Sequence, residues 1–378
     1  MDSPLVDRMP RKLIFEYLVY IFTSMAMAIG FRSLLAANLD SKSADSWFLI
    51  ASTVLIYQWA HLGINLSKNR RSEHSRILPT FGWASPISFL RLVSIAFLAA
   101  FLFFPEPVNW LAWLPALLYL VAISSDLIDG YVARITNSVT ILGQELDEVL
   151  DGRGLMVTSL LAWHYGRVGW WFLGIGLARY LYLFGLYRRK QLGETTYALQ
   201  TNLNRRALAG TQMVFSMAIL VPLFSPPETI WISTIFMLPF LINFQLDWWQ
   251  VSGRHATSQK WKKFAEKYLM PALPTFLLVA RIIVLLSVLF RFLLIEAPIF
   301  VSILEITLAV LISIGFLGQT AAALLLIETG LRQQLGPLGP FDWILFILTI
   351  AILFFGPGRG AKFSPEANWV QQRAGDEN

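Results

Sequence analysis

The sequence predicts an all-α protein that crosses a membrane many times. Hydrophobic residues make up 56% of the chain and charged residues only 14%, mean hydropathy is +0.58, and several apolar runs reach the roughly 20 residues that span a hydrocarbon core about 30 Å thick. Within that core each segment must satisfy its own backbone N–H and C=O groups, which selects helices. The absence of cysteine excludes disulfides and thiolate chemistry. His61, His74, His164 and His255 are scattered, without paired metal-ligand spacing. The net charge of +6 sits mostly in connecting segments, so no nucleic-acid partner is expected. A basic cytoplasmic face suits membrane lipids with anionic phosphates instead.

The first two spans are expected at 13–38 and 47–66, a separate N-terminal hairpin. The run has no small-residue cleavage site, so the first span is read as retained. The basic stretch SKNRRSEHSR, residues 67–76, belongs in the cytoplasm by the positive-inside rule, and with it the N-terminus. A third span runs from about 82 to the turn signal PEP at 105–107. Trp110 and Trp113 suit the membrane interface, and the fourth span, 110–125, returns to the cytoplasmic side and runs into Asp126.

Spans at 152–167 and 170–188 follow, the second ending in the basic cluster Arg188, Arg189 and Lys190. Two more, at 206–224 and 229–247, complete six spans. The expected domains are therefore 1–76, 77–248, a basic cytoplasmic linker with a short amphipathic helix at 249–270, and a C-terminal module at 271–378. Apolar runs at 271–295, 298–315, 318–334 and 341–356 give that module three or four spans. Four are preferred, because they keep Arg359 and Lys362 inside.

Charge is concentrated in one stretch, 126–151, DLIDGYVARITNSVTILGQELDEVLD. If the fourth span continues as a helix, Asp126, Asp129, Gly130 and Ala133 fall on one face, at i, i+3, i+4 and i+7. Two carboxylates then share a face with two residues of almost no side chain, which leaves room for a bulky ligand against the helix backbone. After a turn at TNSVT, Asp147 and Asp151 share a face of the next helix, whereas Glu145 and Glu148 point away. An acid at the centre of a membrane helix costs about 2.5–3.5 kcal/mol, so four would cost roughly 10–14 kcal/mol. Arg134 alone does not offset that. Hard divalent cations with oxygen ligands do, and two Mg²⁺ or Mn²⁺ ions bridged by shared aspartates fit best.

These residues resemble the signature of the CDP-alcohol phosphatidyltransferase family, D-x2-D-G-x2-A-R-x8-G-x3-D-x3-D. The matching positions are Asp126, Asp129, Gly130, Ala133, Arg134, Gly143, Asp147 and Asp151. The resemblance covers about 82–248 and implies a six-helix catalytic core flanked by the N-terminal hairpin and the C-terminal module. It implies that Asp126, Asp129 and Asp147 bind two metal ions, with Asp151 at the edge of that ligand set acting as general base. Donor and nucleotide contacts would come from Asp126, Gly130, Ala133, Gly143 and Arg134. Arg91, Arg205 and Arg206 match positions where the family often carries basic groups near the acceptor, although snorkelling and positive-inside topology also account for them. Arg179, in mid-span, is expected to face the aspartates and to join the acceptor-binding set.

The implied partners are a CDP-linked donor, CDP-diacylglycerol first, and an alcohol acceptor, with CMP released and a homodimer formed through the core. A CDP-amino-alcohol donated to diacylglycerol uses the same residues. A cation transporter and an inactive scaffold are the rival classes. The first lacks acids at mid-depth in the other core spans, and the second leaves the complete aspartate set unexplained. The protein is expected in a cell membrane with its site facing the cytoplasm. The C-terminal module faintly resembles DoxX-like four-helix proteins. Its charges Arg281, Arg291, Glu296, Glu305 and Glu328 are read as interhelical pairs or snorkelling groups.

Overall fold

The structure, a computed structural model, describes residues 9–82, 85–136, 138–197, 203–223, 225–254, 270–294, 298–333 and 339–356, with a few isolated positions besides. Among these residues the chain forms twelve α-helices. They are α1 (Arg11–Ala36), α2 (Ser41–Ile64), α3 (Ser85–Ala100), α4 (Leu114–Ile135), α5 (Ile141–His164), α6 (Leu173–Gln191), α7 (Leu203–Leu220), α8 (Glu228–Val251), α9 (Met270–Leu294), α10 (Ile299–Ile314), α11 (Gly318–Gln333) and α12 (Pro340–Phe355). Six stretches, in α1, α2, α3, α4, α8 and α9, are long and apolar enough to cross a membrane. The protein is an all-α polytopic membrane protein.

Some boundaries bear out the sequence reading and others differ from it, each for a physical reason. Helix α4 continues past 125, as the one-face spacing of its aspartates required, and carries Asp126 and Asp129 on its last turns. Helix α5 runs unbroken from Ile141 to His164, so the helix expected to carry Asp147 and Asp151 is one with the span expected at 152–167. Its first turns are too polar for a hydropathy signal, but the Thr140 hydroxyl accepts the Gly143 N–H at 3.0 Å and caps it. Gly315 adopts a left-handed conformation, φ 71°, that ends α10 before α11 begins, so the C-terminal module has four helices. Helix α8 continues to Val251, into the segment read as linker. Most of the remainder of 249–270 lies outside the described residues.

The chain divides into two compact units, residues 1–183 with 213–222, and residues 184–212 with 223–378. In the first, α3 is the enclosed helix: every residue from 91 to 100 is buried. It packs against α1, α2, α4 and α5. Aromatic side chains seal the hairpin side, with Phe97 against Phe31 and Trp47, and Phe89 against Tyr20 and Trp59. A helix packed on all sides can hold a charged side chain only where other elements bring counter-charges to it.

In the second unit, α9 packs against α10 and α12, and α11 does the same. Val284, Val288, Leu308, Ile312, Leu325 and Ile352 build its apolar core. Arg291 of α9, 2% exposed, pairs across helices with Glu305 of α10 at 2.5 Å, Glu328 of α11 at 3.3 Å and Asp342 of α12 at 2.7 Å. Arg281 is buried in the same helix, and Glu296 lies outside the described residues.

Candidate metal and active site

Three helices converge on the aspartates, and each offers residues one turn apart. Helix α3 supplies Ser88 and Arg91, α4 supplies Asp126 and Asp129, and α5 supplies Asp147 and Asp151. Carboxylate oxygens of Asp126, Asp129 and Asp147 all lie within 4.8 Å of one another. Ser88 Oγ donates to Asp129 Oδ2 at 2.7 Å, and the other oxygen of that buried carboxylate, Oδ1, has no partner among the described residues.

Asp151 stands apart from this triad. Its Oδ1 accepts a hydrogen bond from Arg91 Nη2. The other arm of the same guanidinium, Nη1, lies 2.6 Å from Asp126 Oδ1 and 3.7 Å from Asp147 Oδ1. Arg91 is therefore not a snorkelling side chain; it is 3% exposed and sits at the centre of the site. Asp147 precedes the span expected at 152–167. Loss of surrounding water, and then the Asp129 charge, push its carboxyl up to about 7.

The donor set fits a hard divalent cation. It is all oxygen, three carboxylates converge, and one buried oxygen is left without a hydrogen bond. Mg²⁺ and Mn²⁺ both match that chemistry, whereas a soft metal would want sulfur or imidazole.

The remaining predicted residues fall as follows. Gly130 and Ala133 are half-buried on α4, beyond Asp129. Gly143 lies in the capped first turn of α5, where a Cβ would come 3.2 Å from the capping Thr140 Oγ1. Arg179 does not pair with an aspartate; its Nη2 meets Glu148 Oε2 at 3.1 Å and its stem lies against Gly152. Glu148 and Glu145 are turned away from the triad, Glu145 pairing with Lys68 at 2.7 Å. Arg134 is on α4, and Arg205 and Arg206 are on α7, but their side chains lie outside the described residues.

Sequence reasoning missed Ser88 and did not foresee how central Arg91 is. The available signal was a serine and an arginine three residues apart in an otherwise apolar span, a spacing that puts both on one face.

Residues 81–243 match the family model described as CDP-alcohol phosphatidyltransferase. No curated protein and no solved structure gives a match. The matched segment runs from just before α3 into α8 and contains every residue of the site. Six of its side chains (Ser88, Arg91, Asp126, Asp129, Asp147 and Asp151) make the cluster, and the segment 81–243 belongs to the CDP-alcohol phosphatidyltransferase family, whose members are transferases of substituted phosphate groups.

Proposed function

We propose that the protein transfers a phosphatidyl group from CDP-diacylglycerol to the hydroxyl of a polar alcohol, releasing CMP. The observation that carries this reading is the division of the four aspartates, three converging within 4.8 Å and the fourth held aside by Arg91. Asp126, Asp129 and Asp147 would hold two Mg²⁺ or Mn²⁺ ions. Such ions, when bound, supply charge neutralisation on the donor pyrophosphate and on the departing CMP.

Asp151 takes the proton of the acceptor hydroxyl as its oxygen bonds to the lipid-side phosphorus and the bond to the CMP oxygen breaks. Gly130, Ala133 and Gly143 leave space for the cytidine end, Asp126 lies along it, and Arg134 meets donor phosphate. Arg205 and Arg206, by the family resemblance, and Arg179, by its mid-span position, are the basic groups proposed for the acceptor. Two carboxylates at the end of an apolar span, met by two from the helix that follows, suit a lipid donor whose head group stays at the cytoplasmic boundary. The domain limits 77–248 and 271–378, and a homodimer through the core, belong to the same reading.

The test uses the purified full chain in lipid nanodiscs with CDP-diacylglycerol, Mg²⁺ or Mn²⁺ and a panel of alcohols. Metal-dependent CMP release that requires one of the alcohols is expected. No CMP with any acceptor, from protein that binds Mn²⁺, would sink the proposal. Release seen only when a CDP-amino-alcohol is paired with diacylglycerol would reverse the donor assignment.

A further inference from the structure

We infer that Arg91 is a resident counter-cation for the aspartates: one arm of its guanidinium holds the metal-binding carboxylates until divalent ions replace it, and the other stays on Asp151. The inference rests on the metal and proton roles proposed above.

The guanidinium fork divides along the functional line. Nη1 is shared between Asp126 and Asp147, two members of the triad, whereas Nη2 is on Asp151, the aspartate outside it. Asp129, the third member, is held by neutral Ser88. Ions entering the triad therefore compete with Nη1 alone, and the Nη2 contact can persist through loading. A lysine ammonium, a single point charge, cannot divide itself this way.

Proximity makes the role necessary. Carboxylates this close repel one another, and Arg91, itself 3% exposed, is the cation set among them. At that exposure its guanidinium is turned into the site and not extended to solvent as a snorkelling arginine would be. Below the guanidinium, Ile95, Tyr119, Ala122 and Leu150 close a small recess that reaches Asp151. As a positioning residue Arg91 keeps Asp151 aimed, and out of the metal ligand set.

Calorimetric Mn²⁺ titrations and steady-state kinetics on the full chain, for wild type, Arg91→Met and Arg91→Lys, test this. Removing a competing cation should tighten Mn²⁺ binding by Arg91→Met about tenfold. At saturating metal its kcat should nevertheless fall about 10²-fold, because Asp151 loses its partner. A merely structural defect would weaken metal binding and turnover together. Arg91→Met should also gain more thermal stability from Mn²⁺ than wild type does.

Arg91→Lys should bind Mn²⁺ within about threefold of wild type, since the charge is kept, yet recover little kcat. It carries the test if Arg91→Met can be isolated only with metal present, and an unchanged kcat in Arg91→Lys would overturn the inference. So would unchanged or weaker Mn²⁺ binding in Arg91→Met. A raised donor KM with normal kcat and metal affinity would also overturn it, making Arg91 a phosphate ligand. If wild type binds Mn²⁺ but releases no CMP, the transferase reading fails while the metal titrations still decide the role of Arg91.

Discussion

Asp151 and Asp147 are one helical turn apart on α5, yet they have different neighbours. Asp151 touches Arg91 and lies outside the triad, so replacing it should affect the proton and leave metal binding in place. Asp151→Asn is expected to lower kcat by about 10²–10⁴-fold while the Mn²⁺ affinity changes little; normal turnover would remove Asp151 as the base. Asp147→Asn should do the reverse at the first step, weakening Mn²⁺ binding itself. The Asp147 carboxyl, pushed up to about 7, also sets a pH dependence. Below that pH the folded protein holds a proton there that an incoming ion must displace. Mn²⁺ affinity should therefore fall as pH drops from about 8 to about 6, by at most about tenfold per unit for this one proton. A flat titration across that range would mean that Asp147 is ionised throughout.

In the first unit, helices α5 and α6 approach closely where they cross. A Cβ at Gly176 would stand 2.7 Å from Met156 Cα, a backbone atom that cannot swing away, and 2.5 Å from Ser159 Oγ. Gly176→Ala should destabilise the protein by about 1–3 kcal/mol through overpacking. Gly30 of α1, where an added Cβ would meet nothing within 4 Å, is the control: Gly30→Ala should stabilise by up to about 1 kcal/mol, as a glycine-to-alanine change in a helix does. Thermal unfolding of the two variants in one detergent would show opposite shifts. This scale also marks how far the sequence could be read. The helices were visible because twelve apolar runs are punctuated by turns and basic clusters, and the aspartates because their spacing shares a helix face whatever the helix packs against. The helix carrying Asp147 and Asp151 was legible from their spacing after the TNSVT turn, but not its continuity with the span expected at 152–167, since its capped first turns carry Glu145, Asp147 and Glu148 and have no hydropathy signal. Arg91 was visible as a charge, but its partners come from two other helices, and which helix faces which is settled by tertiary packing. Arg179 shows the same limit: its mid-span position required a polar partner, and packing against Gly152 brought it Glu148.

At the scale of the whole molecule, the aspartate site and the Arg291 cluster of the described residues are compensated differently. The aspartate site leaves an oxygen of Asp129 without a partner among the described residues, as a site awaiting a ligand would. In the C-terminal helices, Arg291 meets one acid from each of α10, α11 and α12, and Asp342 does double duty: Oδ1 accepts from Arg291 at 2.7 Å while Oδ2 accepts the Gly339 N–H at 2.9 Å. Sequence reading passed over Asp342 because it looks like an ordinary first-turn acid of α12, and it is one; the same carboxylate also fastens the helix start to the cluster. Removing the cation that three buried carboxylates share should cost about 3–5 kcal/mol, so Arg291→Met should lower the thermal midpoint sharply. A charge-free version, Arg291→Met with Glu305→Gln, Glu328→Gln and Asp342→Asn, should recover much of the loss, because no uncompensated charge is then created at the cluster. If the fourfold variant is no more stable than Arg291→Met, the cluster is holding the helices by geometry, through hydrogen bonds that the amides fail to reproduce, and not through charge compensation.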